Sequence, residues 1–189
     1  MRSLRRRLLL TALGLVACSR GNDRAPGDNV DTVLVFSATP EPVGSVSFTP
    51  EVEVVMGAAK LSAVNEGAPS IAASHVLLAL LSTPDNSGIA ALRLLGTDLK
   101  SFETALRALP SQRSAASSSR DLPFARDYEK ALESAMHEAV DQKRREMTAA
   151  DLLVGVVATA EGPLAEILRA QKLSIAGVRA AARSSSGGA

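Results

Sequence analysis

A gapless internal repeat with an offset of 76 residues runs through this 189-residue chain. Residues 48–106 align with 124–182 without a break. Phe48 falls on Phe124, Glu53 on Glu129, Ala59 on Ala135, Ala63 on Ala139, Leu77 on Leu153 and Leu92 on Leu168. Only about one position in five is identical, but apolar character agrees more widely, as a duplicated unit requires. Met56 falls on Leu132, Ile71 on Met147, Leu80 on Val156 and Phe102 on Val178. A fixed offset of this kind, with matched apolar positions, is the signature of an internal duplication, one supersecondary unit used twice. The apolar spacing within the unit is that of helices, and the abundance of Ala and Leu favours them.

The spacing predicts four helices per repeat. In the first, Thr49 is placed to cap a helix that has Pro50 in its first turn and Glu51 near its positive end. Val52, Val55, Met56, Ala59 and Ala63 share its apolar face, and Gly67 and Pro69 stop it. A second helix spans about 73–82. Its run Val76-Leu77-Leu78-Ala79-Leu80-Leu81 is apolar all round, which marks a buried central helix. A third covers about 89–95 and ends at Gly96. Asp98 caps a fourth, which Pro110 ends. The second repeat predicts helices near 125–142, 149–159, 163–171 and 175–183, with Ser174 capping the last.

The first residues read as an address. Arg2, Arg5, Arg6 and Arg7 precede an uncharged run of nine, Leu8 to Val16. At about 1.5 Å per residue this run is too short to span a bilayer core of roughly 30 Å, and it has the layout of a secretory signal. Leu15-Val16-Ala17-Cys18 resembles the lipobox of bacterial lipoproteins. The resemblance implies cleavage before Cys18, thioether lipidation of its sulfur and acylation of the new amine. Ser19, in place of an Asp, favours outer-membrane sorting in a diderm bacterium, facing the periplasm. Arg5-Arg6 also partly matches a twin-arginine signal, so Sec and Tat export both stay open.

Residues 18–47 then read as a lipid-anchored flexible linker rich in Gly and Pro, with a β-prone island at Val30–Phe36. The domain is expected at 48–183. Repeat one occupies 48–109, a linker 110–123 and repeat two 124–183, and a disordered tail follows at 184–189.

Three stretches of the first repeat carry a family resemblance. They are Phe48-Thr49-Pro50, Ile71-Ala72-Ala73-Ser74-His75-Val76-Leu77-Leu78-Ala79-Leu80-Leu81 and Leu92-Arg93-Leu94-Leu95-Gly96-Thr97-Asp98-Leu99. Together they resemble the N-terminal double-repeat domain of Clp-type AAA+ unfoldases. The resemblance implies an all-α, pseudo-twofold domain of about eight helices that holds substrates or adaptors. It centres attention on Ser74 and His75 and on their counterparts Ala150 and Asp151 as a partner-binding region. Some members carry carboxylates at the positions of Ser74 and Ala150 that receive a phosphorylated arginine, and neither residue here can do so. The chain contains no G-x-x-x-x-G-K-[ST] phosphate loop, so no ATP chemistry is expected.

Other chemistry is sparse. A single cysteine excludes an internal disulfide and a Cys-based zinc site. His75 has no carboxylate or second His at helical spacing and is expected to be hydrogen-bonded at a helix end. Glu133, His137 and Asp141 form one helical column, read as a solvated face rather than a metal site. No serine lies in G-x-S-x-G, which argues against a hydrolase. Lys143-Arg144-Arg145 is expected to be a solvated helix end. Aromatics at 3% and no Trp leave no base-stacking platform. Removing the four arginines at 2, 5, 6 and 7 from the 21 basic residues leaves 17 against 20 acidic ones. The resulting charge of −3 disfavours nucleic acid.

The expectation is a non-enzymatic, exported, membrane-tethered module that binds a protein or peptide and needs no cofactor. The alternative is a structural or oligomerising envelope lipoprotein with no peptide ligand.

Overall fold

The computed structural model describes residues 46–110 and 122–186. Cys18, the signal segment, the island at 30–36 and most of the inter-repeat linker lie outside the described residues. The element order is β1 (Ser47–Phe48), α1 (Pro50–Glu66), α2 (Ala73–Ser82), α3 (Ser87–Leu94), α4 (Leu99–Arg107), α5 (Arg126–Asp141), β2 (Glu146–Met147), α6 (Ala149–Thr159), α7 (Gly162–Ala170) and α8 (Ile175–Ser186). The eight helices match the expected positions. Helix α8 runs to Ser186, so the first residues of the expected tail are helical.

The repeats close each other reciprocally. β1 pairs in parallel with β2, placing Phe48 opposite Met147, and Ile71 bridges Phe124. The repeat offset carries Phe48 to Phe124 and Ile71 to Met147, so the second pairing is the pseudo-twofold image of the first. The Thr49 N–H donates to Met147 O at 3.1 Å, and the Ala125 N–H to Ile71 O at 2.8 Å. The entry to each first helix is thus tied to the strand before the other repeat's central helix. These two-residue strands are too short to show any period in the sequence, and Ser47 leaves the expected linker to join one.

Two carboxylates repeat the exchange at helix ends. The Glu51 carboxylate accepts the Ala149 N–H at 2.9 Å, at the start of α6. Its counterpart Asp127 accepts the Ala73 N–H at 3.2 Å, at the start of α2. A carboxylate there meets unpaired N–H groups and the positive helix end. This corrects the expectation for α1: Glu51 serves the facing repeat, and the Thr49 hydroxyl donates to Met147 O at 3.1 Å instead of capping its own helix. The caps at Asp98 and Ser174 form as expected.

The core follows from the pattern. Val52, Val55, Ala59 and Ala63 of α1 are buried against α2, and α2 and α6 are buried along most of their length. Tyr128 occupies the place that Val52 holds in repeat one. Its ring is buried, edge-on to Phe124 at 4.8 Å, and its hydroxyl has no partner among the described residues. Burial pushes its phenol up to about 12.

Four helices end in the same motif. In α1 the Gly67 N–H donates to Val64 O and the Ala68 N–H to Ala63 O, and α3, α5 and α7 repeat the pattern. Each needs a left-handed residue. Repeat one supplies Gly67 and Gly96 at φ 67° and 69°, and repeat two supplies Lys143 and Lys172 at φ 56° and 57°. A side chain there costs roughly 1–2 kcal/mol, which the greater freedom of glycine when unfolded partly offsets. Lys172→Gly is therefore expected to stabilise the domain by about 0.5–1 kcal/mol, raising Tm by a few degrees in a thermal melt.

Candidate functional site

Three of the four residues in the expected partner-binding region, His75, Ala150 and Asp151, are buried. Asp151 is wholly buried. It accepts the Thr148 N–H at 2.8 Å and holds the Arg144 guanidinium through two contacts, one at 2.6 Å. The basic run is therefore not a solvated helix end: Arg144 is drawn inward and Lys143 is the left-handed terminator of α5. Ala150 is buried beneath α3, its N–H bonded to the Ser87 hydroxyl at 2.9 Å. His75 behaves as expected at a helix end. Its Nδ1 accepts the Ala72 N–H at 2.9 Å, which leaves Nε2 to carry the proton toward Glu66 at 3.3 Å. Ser74 is half-exposed and lines a cavity of about 210 Å³ with Glu66, Leu78, Leu106 and Arg107. That volume suits a single side chain rather than a ligand of ordinary size.

Glu133, His137 and Asp141 are exposed, and no group of three ligating side chains converges to hold a metal among the described residues. Lys130, 3.0 Å from Glu161, holds that exposed carboxyl below its usual range.

A second candidate surface lies away from Ser74, His75, Ala150 and Asp151, on the seam between two helices of different repeats. Helix α3 of repeat one packs along α8 of repeat two, and the two run antiparallel. Ser87 and Ala90 face Ser185 across one end, while at the other the Leu95 side chain lies over the first turn of α8. A methyl added at Gly177 would stand 3.6 Å from Leu95 Cδ2.

The joint is fixed from below by Glu51. Its carboxylate accepts the Ser87 N–H at 2.8 Å and the Ser87 hydroxyl at 2.6 Å, besides the Ala149 N–H. One side chain therefore ties the starts of α3 and α6 together. Asn86 is buried beside it, capping α3 through the Ile89 N–H at 2.9 Å and donating to Leu80 O.

Along this seam a polar hollow of about 440 Å³, walled by Glu51, Asp85, Ser87 and Arg93, gives way to exposed Leu94, Leu95 and Ile175. Leu94 is 62% exposed. The pseudo-equivalent seam differs, because Ala170 and Gln171 stand in the places of the two leucines and α7 meets α4 at only a few points. The fold alone therefore does not require exposed leucines at this position. Large exposed apolar side chains grouped on a rigid surface mark contact sites. The sequence did show Leu94 and Leu95, but as parts of a turn motif. Their exposure depends on α8, some 80 residues later.

The model of the Clp repeat N-terminal domain matches residues 47–171. The chain belongs to that family. Domains of the family mediate substrate and adaptor binding and are not themselves catalytic. The fold is similar to that of the Hsp104 N-terminal domain from Candida albicans, at 15% identity and TM-score 0.62, covering 76% of this chain and 93% of that one. It is also similar to the N-terminal domain of the chaperone ClpD from Arabidopsis thaliana, at 20% identity and TM-score 0.57, covering 75% and 95%. The N-domain of ClpV from Vibrio cholerae aligns at 12% identity and TM-score 0.60, covering 71% and 81%. No curated protein matches the chain.

Proposed function

We propose that this Clp repeat domain is a protein- or peptide-binding module held at a bacterial envelope membrane by lipid on Cys18. The observation that carries the binding role is the α3–α8 seam, with exposed Leu94, Leu95 and Ile175 beside a polar hollow. An extended segment lying along it would bury apolar side chains against the leucines. Its backbone groups would meet the carboxylates and Arg93 at the other end. The seam is rigid because Glu51, Ser87 and Asn86 lock α3 from beneath, so little ordering cost falls on binding.

Fluorescence anisotropy or titration calorimetry with unfolded model polypeptides tests this reading. The intact chain is expected to bind, and replacing Leu94 and Leu95 by serine is expected to weaken binding at least about tenfold. Absence of binding to every polypeptide tried would sink the idea.

The tether has its own support in the basic segment, uncharged run and lipobox-like end at Cys18. Among the described residues no helix is long and apolar enough to cross a membrane. Cys18→Ala is expected to move the protein from the membrane fraction to the soluble one, and unchanged fractionation would refute lipidation. Confinement to a surface raises the effective concentration for partners on that surface.

A further inference from the structure

Helix α1 is apolar on two opposite faces. Val52, Val55, Ala59 and Ala63 face the core. On the far side Val54, Gly57, Leu61 and Val64 form a second stripe at helical spacing, with Val54 57% and Leu61 60% exposed. The fold does not require this stripe. At the same four places α5 carries Lys130, Glu133, His137 and Val140. The stripe is flanked on one side by exposed Glu53 and Lys60, neither of which is in an ion pair among the described residues.

We propose that α1 docks on α1 of a second copy of this chain, antiparallel, with the twofold axis at Gly57. The stripe is complementary to itself in that one register. At 100° per residue, Val54 and Leu61 lie together on one side of Gly57, and Glu53 and Lys60 lie together on the other. A twofold axis across two antiparallel helices sets like flank against like flank and inverts the direction of the chain. Val54 then meets the other copy's leucine and Glu53 meets its lysine, and each pairing occurs twice, as an isologous contact demands. Gly57 sits at the crossing, where nothing lies within 4 Å of an added methyl, and the absent side chain lets the two backbones approach closely.

The contact is one helix wide, which places it among weak interfaces. It lies on a different helix from the α3–α8 seam and would present two such seams in one assembly. The proposal does not depend on the seam binding anything.

The test is sedimentation equilibrium of the full chain and a charge-swap cycle, with circular dichroism to confirm folding. The expected result is a concentration-dependent monomer–dimer equilibrium. Glu53→Lys and Lys60→Glu each place like charges face to face twice, so each alone is expected to weaken association about tenfold or more. The double variant exchanges the pair and is expected to restore the dimer. A chain that stays monomeric up to millimolar concentration overturns the proposal. Association that ignores the single changes, or that the double swap fails to restore, also overturns it.

Discussion

Replacing Gly155 by alanine is expected to cost the domain about 3 kcal/mol or more and to lower Tm by roughly 6–12 °C. The added methyl would lie 2.1 Å from Ala131 O, 2.9 Å from Ala135 N and 3.0 Å from Ala135 Cβ. The first two are backbone atoms of α5, which no rotamer change can move aside. Helices α5 and α6 must therefore separate along their whole contact, and they form the most extensive helix pair in the fold. Separation loosens Ala131, Ala135 and Ala139, all fully buried. Repeat one shows what the alternative needs. There Ala79 stands in the place of Gly155 and is itself buried, so the packing of α1 on α2 has room for the methyl. Ala79→Gly is the control, expected to lose only about 1 kcal/mol of helix propensity plus a small cavity term. Urea unfolding measures both. A Gly155→Ala midpoint within error of the parent would show that α5 and α6 can part at this crossing with little loss of stability.

The second large effect is at Asp151. Asp151→Ala is expected to lose about 3–5 kcal/mol, because it leaves the Arg144 guanidinium without its partner and the Thr148 N–H without its acceptor. The carboxylate is wholly buried, and the Arg144 side chain is only 24% exposed, so solvent screens the pair little. Breaking a buried pair is costly chiefly because the surviving charge stays behind. The double replacement Arg144→Met with Asp151→Ala is therefore expected to cost clearly less than the sum of the two single ones. Chemical unfolding of the four proteins gives the coupling directly. Additive losses would mean that the two residues act separately.

Most of the architecture was legible, because helices leave a period that survives divergence. The 76-residue offset, the all-apolar central helices, the caps at Asp98 and Ser174 and the terminators at Gly67 and Gly96 each have a local signature. The rest depends on contacts between distant residues. Glu51 reads as a favourable first-turn acid of its own helix, yet it spans to Ala149, 98 residues away. Arg144 reads as one of three exposed cations, but Asp151 draws it inward. The candidate site was harder still. Ala150 and Asp151 occupy positions where a family motif directs attention, while burial gives them structural roles. Leu94, Leu95 and the outer stripe of α1 look like ordinary core leucines and valines, since spacing shows which residues share a face but not whether anything covers it.

The reciprocal bridges have a consequence for the history and assembly of the chain. Neither repeat contains the strand that closes its own first helix, nor the carboxylate that accepts the first N–H of its own central helix. A single repeat made alone would leave those backbone groups to water, and exchanging the same elements with another molecule would pair them again. The duplicated chain behaves as such an exchanged pair joined end to end, where fusion replaces a search in solution by an encounter within one molecule. Separated halves should accordingly behave as complementary fragments, each poorly ordered alone and regaining structure when mixed.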